Sequence, residues 1–263
     1  MIPERTSERA FLGATVLLFA ASVVVTIAWC GSMSATGGMP MPGGWTMSMA
    51  WMRMPGQTWP GAAASFLAMW AVMMAAMMLP SLVPMLWSYR QAVRRAGETR
   101  LGLLTALVGA GYFVVWTAIG LAAFPAGVAL AEVSMQLPAL ARAVPMTTGA
   151  VVLIAGALQF SAWKARYLAC CREAPGCCRT LPGNADTAWR HGLRLGLHCS
   201  YCCAGLTAIF LVIGIMDLCA MAIVTAAITV ERLAPDGERA ARAIGAVAVV
   251  AGLLLIARAA GLD

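Results

Sequence analysis

Charge is scarce in this 263-residue chain, where Asp, Glu, Lys and Arg make up only 11% of positions. Soluble domains carry about 25%. So few charges cannot coat a water-facing surface, and with 61% hydrophobic residues the chain reads as an integral membrane protein. Lys164 is the only lysine and no Gly-rich phosphate loop precedes it, which excludes a Walker-type nucleotide site. Histidine is limited to His191 and His198, so a zinc-protease helix motif is excluded and a haem held by facing helices has no ligand pair. The last apolar segment has no lysine, which excludes a retinal Schiff base of the rhodopsin kind. The net charge of +7 is read as membrane sidedness rather than contact with nucleic acid.

About 20 mostly apolar residues cross the hydrocarbon core as a helix. Seven segments qualify, at about 11–29, 62–87, 102–124, 146–163, 193–215, 217–231 and 242–260. They predict an all-α bundle forming a single transmembrane domain over 1–263, with an outer Met-rich loop at 30–61 and an inner Cys-rich loop at 164–192. No small-x-small cleavage site follows Trp29, so the first segment is read as a span and not a signal peptide. The sixth is short, with Glu231 and Arg232 marking its end, and a tight turn around Gly214–Asp217 joins it to the fifth. With the N-terminus in the cytoplasm, only Arg53, Arg142 and Arg258 of the 18 basic residues fall outside. That bias predicts an N-in, C-out protein of the bacterial inner membrane. The span centres carry no Asp, Glu, Lys or Arg, which argues against an ion-coupled pump. Gln159 is expected to pack between helices.

Sulfur is abundant, with 18 Met and 9 Cys. The outer loop holds Met33, Met39, Met41, Met47, Met49, Met52 and Met54 among Gly, Pro and Ser. Methionine could be apolar filler there, but Leu, Val and Phe are the more natural filler and 33–54 has none. Thioethers are soft, neutral ligands that survive an oxidising compartment and suit Cu(I). The second span adds Met69, Met73, Met74, Met77 and Met78, whose spacing of four puts them on one broad helix face. Core packing accounts for such a stripe equally well. Pro80 and Pro84 follow and predict a kink or broken turn.

Cysteine gathers at the other end: Cys170, Cys171, Cys177 and Cys178 in the inner loop, and Cys199, Cys202 and Cys203 early in the fifth span. Cytoplasmic thiols stay reduced, so a soft-metal site is expected rather than a disulfide framework. Cys199, Cys202 and Cys203 share one helix face, with His198 beside them. Cys30 and Cys219 are read as small core residues.

The run Trp-Ala-Val-Met-Met-Ala-Ala-Met-Met-Leu-Pro-Ser at 70–81, followed by Pro84, resembles the second span of a bacterial family described as predicted metal-binding integral membrane proteins (domain of unknown function 2182). Gly192, Gly196, Cys199, Cys202, Cys203, Gly214, Asp217 and Glu231 fit the rest of its pattern, so the resemblance runs from about Ala63 to Leu233. In the inner loop Lys164, Leu168, Cys171, Arg172 and Pro175 match, but Tyr167 stands where a cysteine is expected and Asp217 where Asn is usual. The resemblance implies metal binding and a polytopic helical fold, and no reaction.

The residues therefore point to a protein that handles Cu(I), as a permease or a delivery chaperone, with zinc or an iron–sulfur cluster suiting them less. The alternative is a structural or metal-centre-bearing subunit of a larger membrane redox complex. Expected partners are the bilayer, the metal ion and a protein in the membrane or periplasm, with no nucleic acid. No acid–base set suggests an enzyme, since His198 and Asp217 lie on opposite sides.

Overall fold

The computed structural model describes residues 2–35, 37–54, 56–172 and 184–261, with backbone alone at 2–5, 34 and 35. Among these, the helices are α1 (Ile2–Ala35), α2 (Trp59–Arg95), α3 (Leu101–Gln136), α4 (Pro138–Leu158), α5 (Ala162–Arg172), α6 (Ala185–Ile213), α7 (Leu218–Leu233) and α8 (Gly237–Ala259). Between α1 and α2 lie two short strands, β1 (Met39–Met41) and β2 (Trp45–Met47), and one 3-10 turn at Met49–Trp51. Six helices, α1 to α4, α6 and α8, are long and apolar enough to cross a membrane. Their outward faces are apolar, with Leu17 72% and Val247 71% exposed, as lipid contact requires. All-α architecture with several membrane-length helices is thus the observed class. α7 has 16 residues, short of the length that marks the other six.

Most helices outrun the apolar segments that announce them. α3 continues to Gln136 and meets α4 across Leu137 alone, Pro138 opening the next helix with its fixed φ. α4 stops at Leu158, before the expected 163, because residues 159–161 turn the chain into α5. Much of the inner loop is therefore helix. The anticipated break in α2 is absent: the helix is continuous from Trp59 to Arg95 through Pro80 and Pro84. Within it Ser81 Oγ donates to the Met78 carbonyl at 3.0 Å. The tight turn holds, with Gly214 at φ 144° and Asp217 capping α7 by accepting from the Ala220 amide at 2.8 Å.

Two helix pairs set the frame. α4 and α8 run antiparallel through Gly149, Gly156, Gly245 and Gly252, and α6 lies against α3 through Gly192 and Gly196. A Cβ at Gly192 would stand 2.3 Å from the Val108 carbonyl oxygen, so only glycine permits this approach. α2 packs between α1, α3 and α7. α7 joins the two ends of the bundle. Near its start Cys30 Sγ lies 3.8 Å from Met216 Sδ, and at its end Glu231 pairs with Lys164.

Candidate metal centre

The close approach of α6 to α3 places Cys199 Sγ 2.8 Å from the Tyr112 hydroxyl, both fully buried. About one turn of helix then carries Cys202 and Cys203 on the same buried face, as the i, i+3 and i, i+4 spacing requires. α5 brings Cys171 to this face. Cys171 lies near Cys202, Cys202 near Cys203, and Cys203 near Cys199. The four thiols form a file from two helices, each side chain no more than 3% exposed. None is in a disulfide.

Charge surrounds this file where the sequence suggested only a helix end. Arg232 was expected to mark the boundary of the sixth span, yet it is 6% exposed, and its guanidinium lies among sulfur. Nη2 is 3.5 Å from Cys203 Sγ and 3.9 Å from Cys171 Sγ. Nη1 donates to Ser81 Oγ at 3.2 Å and lies 4.0 Å from Met85 Sδ. Glu231 is 1% exposed and pairs with Lys164 Nζ at 2.6 Å. Lys164 also donates to the Cys202 carbonyl at 2.7 Å. Gln159, expected to be a packing residue, donates to Glu231 at 2.9 Å. Burial alone disfavours the Lys164 charge, but Cys202 and Glu231 beside it outweigh that and hold its pKa above the ordinary lysine value. Arg172 closes the end of α7, its guanidinium donating to the carbonyls of Glu231, Arg232 and Pro235. A cavity of about 270 Å³, lined by Gln159, Lys164, Leu168, Glu238 and Arg242, abuts the Lys164 side.

The His198 ring is half-buried, with Nδ1 2.8 Å from the Arg194 carbonyl and the ring 6.0 Å from Tyr167. Cys170 is half-buried, and Cys177 and Cys178 lie outside the described residues. Cys30 is buried against Met216, whereas Cys219 is exposed and so is not a core residue. Among the described residues, no group of three or more His, Cys, Asp or Glu side chains is arranged to hold a metal ion.

Thioethers lead to this end along α2. Met69, Met73, Met74, Met77 and Met78 are all buried, at 7% exposure or less, and Met85 continues the line to Arg232. At the opposite end the Met-rich segment is ordered into a hairpin. Gly43 and Gly44, both at positive φ, turn β1 into β2 and pair Met39 with Met47 and Met41 with Trp45. Met41 and Met47 are buried against Ala131 and Ala141, with Met39, Met52, Trp45 and Trp51 packed around them. Trp45 Nε1 fixes the hairpin by donating to the Ala141 carbonyl at 2.9 Å. Met54 is 43% exposed, and Met33 and Met49 fall outside this cluster.

Sequence reasoning therefore found the cysteines of α6 and missed Arg232, Glu231, Lys164, Tyr112 and Met85 as their neighbours. One signal was available. About 15 apolar residues before Glu231 are too few to cross a bilayer, so the charges that follow must be drawn into the bundle.

No curated protein and no solved structure matches the chain. A family model does, over residues 67–255, which takes in the α2 methionines, the thiol file and the charged end of α7. On that match, which covers most of its length, the chain belongs to the PpoB2 family, described as a copper chaperone.

Proposed function

We propose that this chain takes up Cu(I) at the hairpin end and holds it at the thiol end for transfer to a protein partner, as a membrane-embedded delivery protein. The observation that carries the reading is the file Cys171, Cys202, Cys203 and Cys199, drawn together beneath a methionine-lined helix. Thiolates and thioethers are soft donors suited to Cu(I). Copper here is cargo. A row of thiols offers the two donors that satisfy Cu(I), whereas structural zinc takes a tetrahedral set of four and iron–sulfur clusters take four cysteines. The α2 methionines are packed into the core without exposure, which supports binding and hand-over above an open permease path. Thiolates bind Cu(I) more tightly than thioethers, so unassisted movement runs from hairpin to thiols.

The same reading takes α7 as a seventh crossing, with N-in, C-out orientation in a bacterial inner membrane and the thiol end in the cytoplasm. A C-terminal reporter active only in the cytoplasm would overturn that orientation. It also identifies the copper-chaperone family with the family of predicted metal-binding membrane proteins (domain of unknown function 2182) that the motifs at 70–81 and 199–203 resemble.

The test is full-length protein in proteoliposomes given Cu(I) at the hairpin face. Delivery predicts loading that saturates near stoichiometry and releases to a thiol acceptor at the other face. Continued accumulation in the lumen would mean a permease. No bound copper at all would favour the structural or redox-subunit reading.

A further inference from the structure

Among the described residues Arg232 has no acidic partner. Among the described residues no carboxylate lies within ion-pairing distance of it, since Glu231 turns the other way to Lys164 and Gln159. Its Nη atoms face one hydroxyl and three sulfurs. Its Nε is buried with no acceptor. The Lys164–Glu231 pair is neutral as a unit, so among the described residues no buried carboxylate is left to offset the Arg232 guanidinium. A buried guanidinium without an anion is costly, by several kcal/mol per ion in general. Nothing in the packing requires a cation here, because the surrounding side chains are thiols, a phenol, a thioether and a hydroxyl.

A metal–thiolate centre supplies the missing anion. Two thiols that each release a proton to solvent and together bind one Cu(I) leave a centre with a single negative charge. No oxidation or reduction is involved: two S–H bonds are exchanged for two S–Cu bonds. The guanidinium already lies within 4 Å of two of the sulfurs. We infer that Arg232 is the counter-cation of the copper–thiolate centre, donating N–H···S bonds to Cys203 and Cys171 and selecting a monoanionic centre of one Cu(I) and two thiolates. A divalent ion on the same two thiolates would be neutral and would leave Arg232 uncompensated. The inference rests on the copper-handling reading and adds to it the residue that sets the charge, and therefore the preferred ion, of the site.

The test uses full-length wild-type, Arg232→Met and Arg232→Lys proteins in detergent, titrated with Cu(I) against a chromophoric Cu(I) chelator. Thermal stability is measured on the same metal-free samples. Residues that support metal ligands from behind typically change affinity about 10–100-fold when lost, and Arg232→Met is expected to weaken Cu(I) by that much. Arg232→Lys keeps the charge and should stay within about tenfold of wild type. Metal-free Arg232→Met should be as stable as wild type or more so, because an unpaired buried charge has been replaced by apolar bulk. A merely structural arginine would give the opposite pattern, with lower metal-free stability and unchanged affinity. Wild-type affinity in Arg232→Met overturns the inference. If Arg232→Met does not insert, Arg232→Lys decides: retained copper supports the inference, and a loss beyond 100-fold in a folded protein refutes it. Failure of wild type to bind Cu(I) would instead refute the proposed function itself.

Discussion

The two sulfur-rich ends of the molecule differ in the charge that surrounds their sulfur. At the hairpin, Met39, Met41, Met47 and Met52 pack with Trp45 and Trp51 against Ala131 and Ala141, and the charged neighbours Arg53, Glu132 and Arg142 are all exposed. At the thiol end, four cysteines share their burial with Lys164, Glu231 and Arg232. Thioethers are neutral, so a copper ion held by them keeps its own positive charge and needs no buried cation nearby. Thiolates must lose protons to bind, and the resulting anion does need one. On the proposed function the hairpin is the place of weak, exchangeable capture and the thiol end that of tight retention.

This comparison can be broken at either end. The largest effect is expected from Glu231→Ala, which leaves the Lys164 ammonium unpaired at 4% side-chain exposure. Removing one partner of a buried pair costs about 3–5 kcal/mol. The thiol end should lose its order, read as faster alkylation of Cys171, Cys199, Cys202 and Cys203, while the hairpin end keeps its packing. Equal alkylation in variant and wild type would show that the pair does not organise the thiols. Next is Gly192→Leu, which forces α6 away from α3 where the Val108 carbonyl leaves no room. Overpacking of this kind costs about 1–3 kcal/mol. It should separate Cys199 from Tyr112 and lower copper retention more than copper capture.

The hairpin divides its methionines into two sets. Changing Met39, Met41, Met47 and Met52 to Leu removes the thioethers of the packed cluster but keeps bulk and apolarity. Copper loading should fall at low external copper and recover at high copper, with protein abundance unchanged. Changing Met33, Met49 and Met54 to Leu should do little, because those side chains lie outside the cluster. Equal effects from both sets would return the segment to apolar filler. The smallest effect belongs to Cys30→Ser, whose thiol packs on Met216 far from the file and should leave copper stoichiometry unchanged.

What was legible in the sequence was periodic. The spacing of four in α2 and of three and four in α6 fixed two helix faces, and both faces are buried. Gly214 and Asp217 announced their turn. The hairpin was less visible, since Met, Gly, Pro and Ser in a short stretch read as irregular chain, and only the Gly43–Gly44 pair between Met39–Met41 and Trp45–Met47 signals a reversal. Of the kink or broken turn expected at Pro80 and Pro84, the broken turn is absent, since the helix runs through both. Charged residues were misplaced for a consistent reason. Lys164, Glu231 and Arg232 each sit beside the end of an apolar run, where a charge ordinarily meets water. The short run before Glu231 hints at this for Glu231 and Arg232, but for Lys164 only tertiary packing, three helices converging at one end, shows that it is drawn into the bundle.

The central claim is that the α6 thiols, rather than the methionines, hold the tightly bound copper. It is tested most directly by copper stoichiometry of full-length protein loaded with Cu(I), purified to equal monodispersity and washed with a Cu(I) chelator. Wild type is compared with the Cys199→Ser, Cys202→Ser, Cys203→Ser triple variant and with the four-methionine hairpin variant. The account predicts that chelator-resistant copper is kept by wild type and the hairpin variant and lost by the triple variant. Full stoichiometry in a folded triple variant would contradict it and leave these cysteines as packing residues.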